Sequence, residues 1–114
     1  MKLISAIIQP ARLPRVRAAA RKFPNFPGMT IDKVEGFSLQ EELPKSIKAE
    51  LTDYSTKIRL LILAPDEQAD AIVLMIAEHC HTGERGDGHI WMSNVHQHYR
   101  IRDLKPGQPL PLNG

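Results

Sequence analysis

The chain has 114 residues, 42% of them hydrophobic, which is enough for one compact domain with a core. Its 15 basic and 13 acidic residues give a net charge of +2, too balanced to indicate a general nucleic-acid or membrane binder. The single cysteine, Cys80, excludes an intrachain disulfide, and the apolar N-terminal run has neither the cleavage site of a signal peptide nor the length of a membrane span. We therefore expect a cytoplasmic protein, not embedded in a membrane, for which self-association would relieve the large exposed surface of a small domain.

The first part of the chain predicts a strand, a helix and a second strand. Residues 3–9 are apolar and rich in isoleucine, as in a buried strand. A helix should follow, because Pro14 suits a first helical turn and apolar side chains recur at helical spacing as far as Phe23. Residues 24–28 end this helix, and the alternation of apolar and polar side chains over residues 29–37 predicts the second strand.

A long segment without a regular pattern comes next. Residues 38–54 are rich in charged side chains and have too little apolar periodicity for a dependable helix or strand, although a short helix at residues 46–51 stays an alternative. A stretch of this length without secondary structure is typical of a functional or mobile loop in a compact domain.

The remaining elements are a strand, a helix, a glycine-rich loop and a last strand. Residues 57–64 form an apolar strand, and Asp66 can cap the helix that follows. The glycine-rich loop covers residues 82–89, the last strand covers residues 90–101, and a proline-containing tail from Lys105 should be extended. The order predicts an α+β fold of the ferredoxin-like βαββαβ type, with an antiparallel sheet and both helices on one face.

The glycine-rich loop and two arginines indicate an anionic ligand. Gly83, Gly86 and Gly88 allow positive φ angles, so that backbone amides can turn toward one anion, although a hairpin turn would look similar. Arg100 and Arg102 stand two residues apart on the predicted last strand, where both would point to one face and grip phosphate oxygens. A solvated basic edge is the alternative for the arginines, but loop and arginines together favour an anion.

The sequence TGERGDGHIWM at residues 82–92 resembles the C-terminal signature of the PII family of signalling proteins. Four other segments are similar to the family's first, second and closing strands, and they lie at residues 1–10, 28–30, 34–37 and 99–102. The resemblance extends over residues 1–103, and it implies a regulatory protein rather than an enzyme.

The resemblance also implies an assembly and a division of the chain. PII proteins are homotrimers that bind adenine nucleotides (ATP, ADP or AMP) in clefts between subunits. Residues 1–104 would form the domain, with a T-loop at about 38–56 and a B-loop at about 82–89, and residues 105–114 would form the extended tail. The T-loop would contact a regulated partner protein such as a membrane transporter, and no nucleic acid is implied.

The nucleotide positions implied by the resemblance are Ile7, Thr30, Gly36, Phe37, Ser38, Leu39, Gln40, Lys57, Leu63, Gly86, Asp87, Gly88, His89, Arg100 and Arg102. Thr30 and the backbone around Leu63 would face adenine, and the Gly-Asp-Gly turn would cradle ribose and phosphates. The two arginines would hold phosphates from the neighbouring chain. Gln40 and Lys57 stand where the family binds 2-oxoglutarate beside magnesium-bound ATP.

Three departures from the family pattern weaken a nitrogen-regulatory role. His89 replaces a Lys or Arg and is largely neutral at pH 7, and Leu39 replaces an arginine. Fewer fixed cations stabilise a triphosphate less, so ADP or AMP should compete well with ATP. The predicted T-loop is also short, and it has no tyrosine near its tip for uridylylation.

The histidines leave a metal-binding alternative open. His96 and His98 would share one face of the last strand, as a two-ligand metal site needs, and residues 79–81 would form a chelate only if their helix ended by Glu78. Surface histidines would look the same. A regulator of heavy-metal efflux and a CutA-like metal-tolerance trimer therefore stay as alternatives. The departures from the family pattern leave a further one, a sensor of inorganic carbon that takes bicarbonate with ADP or AMP.

Overall fold

The fold is taken from a computed structural model, which describes residues 1–37 and 54–111. The predicted site residues Ser38, Leu39 and Gln40 lie outside the described residues, as does the short helix predicted at 46–51. The main elements are β1 (Lys2–Ile8), α1 (Leu13–Lys22), β2 (Thr30–Phe37), β3 (Tyr54–Ala64), α2 (Asp66–Cys80) and β4 (His89–Asn94).

The four strands form one antiparallel sheet in the order β2-β3-β1-β4. β1 is central, and its register places Ile7 opposite Arg59 on β3 and opposite His89 on β4. β4 and β2 are the two edge strands, and Thr30 on β2 pairs with Leu61 on β3. This arrangement confirms the predicted ferredoxin-like α+β fold.

The core lies between one face of the sheet and the two helices. Because side chains alternate along a strand, Ile4 on β1 and Leu60 on β3 point to this face, and both are fully buried at 0% exposure. α2 adds Ile72 and Ile76, also at 0%, from positions four residues apart on one side of the helix. Each such side chain contributes about 1.5–3 kcal/mol by leaving water.

The opposite face of the sheet has no helix over it in residues 1–37 and 54–111. Leu63 on β3 is 39% exposed and Trp91 on β4 is 49% exposed on this face. On the β2–β3 side, the Arg59 guanidinium donates two hydrogen bonds to the Asp32 carboxylate, at 2.7 and 3.1 Å. The uncovered face therefore combines apolar side chains with an internally neutralised ion pair.

The last strand is shorter than predicted. β4 ends at Asn94, not at residue 101, and the backbone N–H of Val95 donates to the carbonyl of Met1 at 3.0 Å. β1 offers no further partner beyond this point, so the chain leaves the sheet. A short 3-10 turn at Ile101–Asp103 follows, and the prediction that Arg100 and Arg102 share a strand face is wrong.

Other predicted boundaries also change. β3 begins at Tyr54, so residues 54–56 of the predicted T-loop belong to the strand. Pro65 is the N-cap of α2, and Asp66 accepts a hydrogen bond from the N-terminal ammonium at 2.7 Å instead of capping the helix. That bond lowers the pKa of the Asp66 carboxyl.

The ends of α2 and of the chain differ from expectation as well. α2 continues to Cys80, so the condition for a chelate at residues 79–81, a helix ending by Glu78, is not met. The tail contains a turn in which the N–H of Gln108 donates to the Lys105 carbonyl at 3.0 Å, so it is not wholly extended. In the part of the chain that the structure describes, no helix combines the length and the apolar character that crossing a membrane requires.

Candidate functional site

The glycine-rich loop is held by hydrogen bonds to one carboxylate. Asp87 accepts from the backbone N–H groups of Thr82 at 2.9 Å and Gly83 at 3.0 Å, and also from the Thr82 hydroxyl. The Thr82 hydroxyl bond is the main reason that the pKa of Asp87 lies below its ordinary value, and the backbone bond from Thr82 adds to it. The carboxylate is therefore ionised near neutral pH, and it shapes the loop from inside.

The glycines take the backbone conformations that the sequence predicted. Gly83, Gly86 and Gly88 have φ angles of 81°, 92° and 103°. Gly88 has a second constraint, since a Cβ atom built on it would lie 1.8 Å from the carbonyl oxygen of Ile7. Only glycine allows the loop to approach β1 this closely.

The loop is fastened to the sheet through the carbonyl of Gly86. That oxygen accepts from the Gln9 side-chain amide at 3.0 Å and from the Lys57 ammonium at 3.3 Å. The aliphatic part of the Lys57 side chain packs over Gly36: a Cβ atom built on Gly36 would lie 3.4 Å from Lys57 Cγ. The ends of β1 and β2 and the start of β3 therefore meet the loop at one edge of the molecule.

This edge brings together seven of the predicted positions: Ile7, Gly36, Lys57, Gly86, Asp87, Gly88 and His89. Phe37 ends β2 close by in sequence and is 54% exposed. Gln9 was missed by sequence reasoning. The available signal was its position: Gln9 directly follows β1, the strand whose Ile7 contacts Gly88.

Two other predicted positions lie at the far end of the sheet. Thr30 pairs with Leu61 and Leu63 pairs with Leu3, whereas Lys57 lies six residues before Leu63 on β3. At about 3.3 Å per residue, roughly 20 Å separates Lys57 from Leu63. One chain therefore does not bring the predicted adenine contacts to the loop.

The two arginines lie in the irregular segment after β4. Arg100 precedes the 3-10 turn and lines a small cleft of about 170 Å³ with His98 and Tyr99. Arg102 lies in the turn, with its Nε atom 3.8 Å from the Asp103 carboxylate, and both of these side chains are well exposed. Neither arginine belongs to the loop edge of its own chain.

An apolar cleft of about 140 Å³ lies under the loop, and Ile7, Gly88 and the C-terminal end of α2 line it. Cys80 lies at this cleft and is only 5% exposed, and burial raises the pKa of its thiol.

The predicted metal candidates find no support from geometry. His96 and His98 follow the end of β4, so they do not share a strand face. Among the described residues, no group of three His, Cys, Asp or Glu side chains is placed to hold one metal ion. The chemistry available at the loop edge is instead a lysine ammonium beside a glycine-rich turn, which suits an anion.

Comparison with known proteins assigns the sequence of this chain to a family. The family model described as nitrogen regulatory protein P-II matches residues 1–105. The chain is 34% identical over 110 residues to nitrogen regulatory protein P-II of Rhizobium meliloti, covering 94% of this chain and 96% of the relative. It is 39% identical over 106 residues to the P-II protein of Porphyra purpurea and 36% identical over 105 residues to P-II 1 of Escherichia coli, covering 90% of this chain and 92% of each relative. The chain therefore belongs to the P-II family of signalling proteins.

Proposed function

We propose that this chain is a homotrimeric P-II regulator that binds an adenine nucleotide between subunits and controls a partner protein through its T-loop. The observation that carries the proposal is the fastening of the glycine-rich loop, through Gly86, to Lys57 and Gln9. This contact joins a phosphate-type turn to the start of β3, directly after the T-loop region.

Trimer formation is supported by apolar side chains that are exposed in the described part of the chain. Leu63 and Trp91 are 39% and 49% exposed on the free face of the sheet, and Ile101 is 89% exposed after β4. Burying such side chains is favourable at about 25 cal/mol per Å² of apolar area. A neighbouring copy would cover them without changing the fold.

The division of the predicted site supports binding between chains. The loop edge holds Lys57, whereas Thr30 and Leu63 lie at the other end of the sheet. A second copy could bring its adenine contacts and its Arg100 and Arg102 toward the loop of the first. The nucleotide would then depend on the assembly.

The charges near the loop favour ADP or AMP over a triphosphate. Among residues 1–37 and 54–111, the hydrogen-bond partner of the Lys57 ammonium is a neutral carbonyl and no carboxylate pairs with it, so the ammonium can turn to a phosphate or carboxylate. His89, an exposed side chain at the start of β4, adds no fixed cation. If ATP binds, Mg²⁺ would offset its additional charge, and 2-oxoglutarate or bicarbonate would be the second effector near Gln40.

Signalling would proceed by a shift in T-loop populations. β2 ends at Phe37 and β3 begins at Tyr54, so both attachment points of the T-loop lie at the loop edge. A ligand that engages Lys57 would favour one T-loop conformation over another, and the partner protein would bind that conformation.

Isothermal titration with ATP, ADP and AMP, with and without Mg²⁺, tests the proposal. We expect ADP or AMP to bind at least as tightly as ATP, and no binding by any of the three would overturn the proposed function. Lys57→Met keeps the stem over Gly36 but removes the ammonium, so it should weaken binding several-fold. Lys33→Met is the matched control, since Lys33 is an exposed lysine on β2 outside the loop edge.

A further inference from the structure

A groove lies on the helix side of the molecule, away from the glycine-rich loop. A groove of about 600 Å³ runs along α1 and reaches the C-terminal end of α2, where His79 lines it. Ala18 and Ala19 leave space in this groove because their side chains are single methyl groups, and Arg15 and Lys22 line it from the preceding and the following turn of α1. We call this surface the α1 groove.

One end of the α1 groove is fixed by contacts around Phe23. The Phe23 ring packs edge-on against Phe26, with ring centroids 6.0 Å apart and planes at 73°. The Gln68 side-chain amide of α2 donates to the carbonyls of Pro24 at 3.4 Å and Asn25 at 3.2 Å. The turn after α1 is thus tied to α2, and a preformed groove costs little ordering when a ligand binds.

The charge of α1 is one-sided. The helix and the short turn before it carry basic residues and no carboxylate: Arg12, Arg15, Arg17, Arg21 and Lys22. Over residues 1–37 and 54–111, no carboxylate forms an ion pair with Arg15 or Lys22. α2 contains Asp66, Glu67, Asp70 and Glu78, but none of these side chains lines the α1 groove.

We propose that the α1 groove binds an acidic segment of a partner protein. An aliphatic side chain of that segment would lie over Ala18 and Ala19, and flanking carboxylates would pair with Arg15 and Lys22. A membrane or a nucleic-acid duplex is a broad anionic surface and would also meet the carboxylates of α2, whereas a narrow peptide would meet the cations of the groove. The surface lies opposite the free face of the sheet, so it stays accessible in the proposed trimer.

A short synthetic peptide in which glutamates flank a central leucine serves as the probe. Titrated into ¹⁵N-labelled protein at low salt, it should shift the backbone amide signals of Ala18, Ala19 and Phe23, and added salt should reverse the shifts. The same peptide with lysine in place of glutamate should leave these signals unchanged. No shift at peptide concentrations up to about 1 mM, the weak end of specific binding, would overturn the proposal.

Charge-reversed variants separate the groove from a general attraction to the basic helix. Arg15→Glu with Lys22→Glu should weaken peptide binding about tenfold, because two ion pairs are lost and replaced by repulsion. Arg17→Glu with Arg21→Glu changes the net charge equally on the same helix but does not touch the groove lining, so affinity should fall by far less. An equal loss in both pairs would contradict a defined site.

A neutral variant tests the apolar part of the site. Ala18→Leu fills the groove from an exposed helix position without changing the charge, and it should weaken the peptide several-fold while circular dichroism stays unchanged. Unchanged peptide affinity would count against the groove, as would vesicles of anionic lipid that bind while the peptide does not. ADP titration of the same variants should give the wild-type result, so a failure here is distinct from a failure of nucleotide binding.

Discussion

The glycine-rich loop and the segment after β4 carry the two halves of the predicted phosphate contacts, yet they differ in how the chain holds them. Within the loop, Asp87 accepts a hydrogen bond from the backbone of Thr82. The side chains of Lys57 and Gln9 connect the loop to the sheet by hydrogen bonds to the Gly86 carbonyl. The later segment leaves the sheet after Val95, and Ile101 within it is 89% exposed. The loop is complete within one chain, whereas the arginine segment has the exposure expected of a surface that another copy completes.

The largest expected effect comes from removing that other copy. Trp91→Glu places a charge on the free face of the sheet, where burial in a trimer would be costly, so we expect light scattering to show monomers. ADP affinity should be lost with the trimer. Leu74→Glu is the control, because Leu74 is an exposed apolar residue, 69% exposed, on α2. Trimers in both variants would show that the free sheet face is not the interface.

Gly88→Ala tests the glycine-rich loop, the part of the predicted phosphate site that is complete within one chain. The added methyl group would collide with the Ile7 carbonyl, and the alanine would have to adopt a positive φ angle. Urea unfolding should therefore show that the free energy of unfolding falls by at least about 3 kcal/mol. Gly28 has a similar φ of 108°, but a Cβ atom built on it would have nothing within 4 Å. Gly28→Ala should therefore lower the free energy of unfolding by only roughly 1–2 kcal/mol. Equal costs would mean that backbone strain, not contact with β1, restricts the position.

Arg100→Ala and Arg102→Ala test the exposed half. At the proposed site each arginine would donate a charge-assisted hydrogen bond to phosphate, so each substitution should weaken ADP binding roughly tenfold. Thermal unfolding should stay unchanged, since the only ion pair found for Arg102 within the described residues is a long one to its neighbour Asp103. Arg17→Ala serves as the control for a general loss of charge, and Leu39→Ala should also have little effect. Wild-type affinity in both site variants would remove the arginines from the site.

The smallest effect is a pH dependence of the loop. The folded pKa of Asp87 is lowered, mainly by the Thr82 hydroxyl, so its stabilisation is fully present above the unfolded pKa of about 4 and is lost as pH falls through the folded value. Hydrogen exchange of the Thr82 and Gly83 amides should therefore accelerate in acid relative to amides elsewhere. Asp87→Asn should exchange faster already at neutral pH and lose this added acid sensitivity.

Local patterns in the sequence predicted much of the fold, and long-range contacts account for the errors. The continuous apolar run of β1 and the helical spacing of the apolar side chains before Phe23 each report burial from neighbouring residues, and both elements formed as expected. The predicted end of β4 was wrong because that end depends on how far β4 can pair with β1. The periodicity of residues 90–101 carries no information about this pairing.

The candidate site shows the same division. Positive φ at Gly86 and Gly88 could be read from residue type, because few other residues accept that conformation. The contact between Gln9 and Gly86 joins residues 77 positions apart, and the Lys57 contact spans 29 positions, so neither appears in a local pattern. The roles at the nucleotide remain predictions from family resemblance.

Cys80 gives this protein a natural chemical probe of loop movement. It is the chain's one cysteine, 5% exposed, at the cleft beneath the glycine-rich loop, with a thiol whose pKa is raised by burial. Because residues 87–89 of the loop line this cleft, a chromogenic disulfide reagent should react faster when the loop lifts and the thiolate forms, and we expect the labelling rate to report loop opening. Ligands that hold the loop against β1 should slow the reaction, which allows effectors to be ranked without engineered residues.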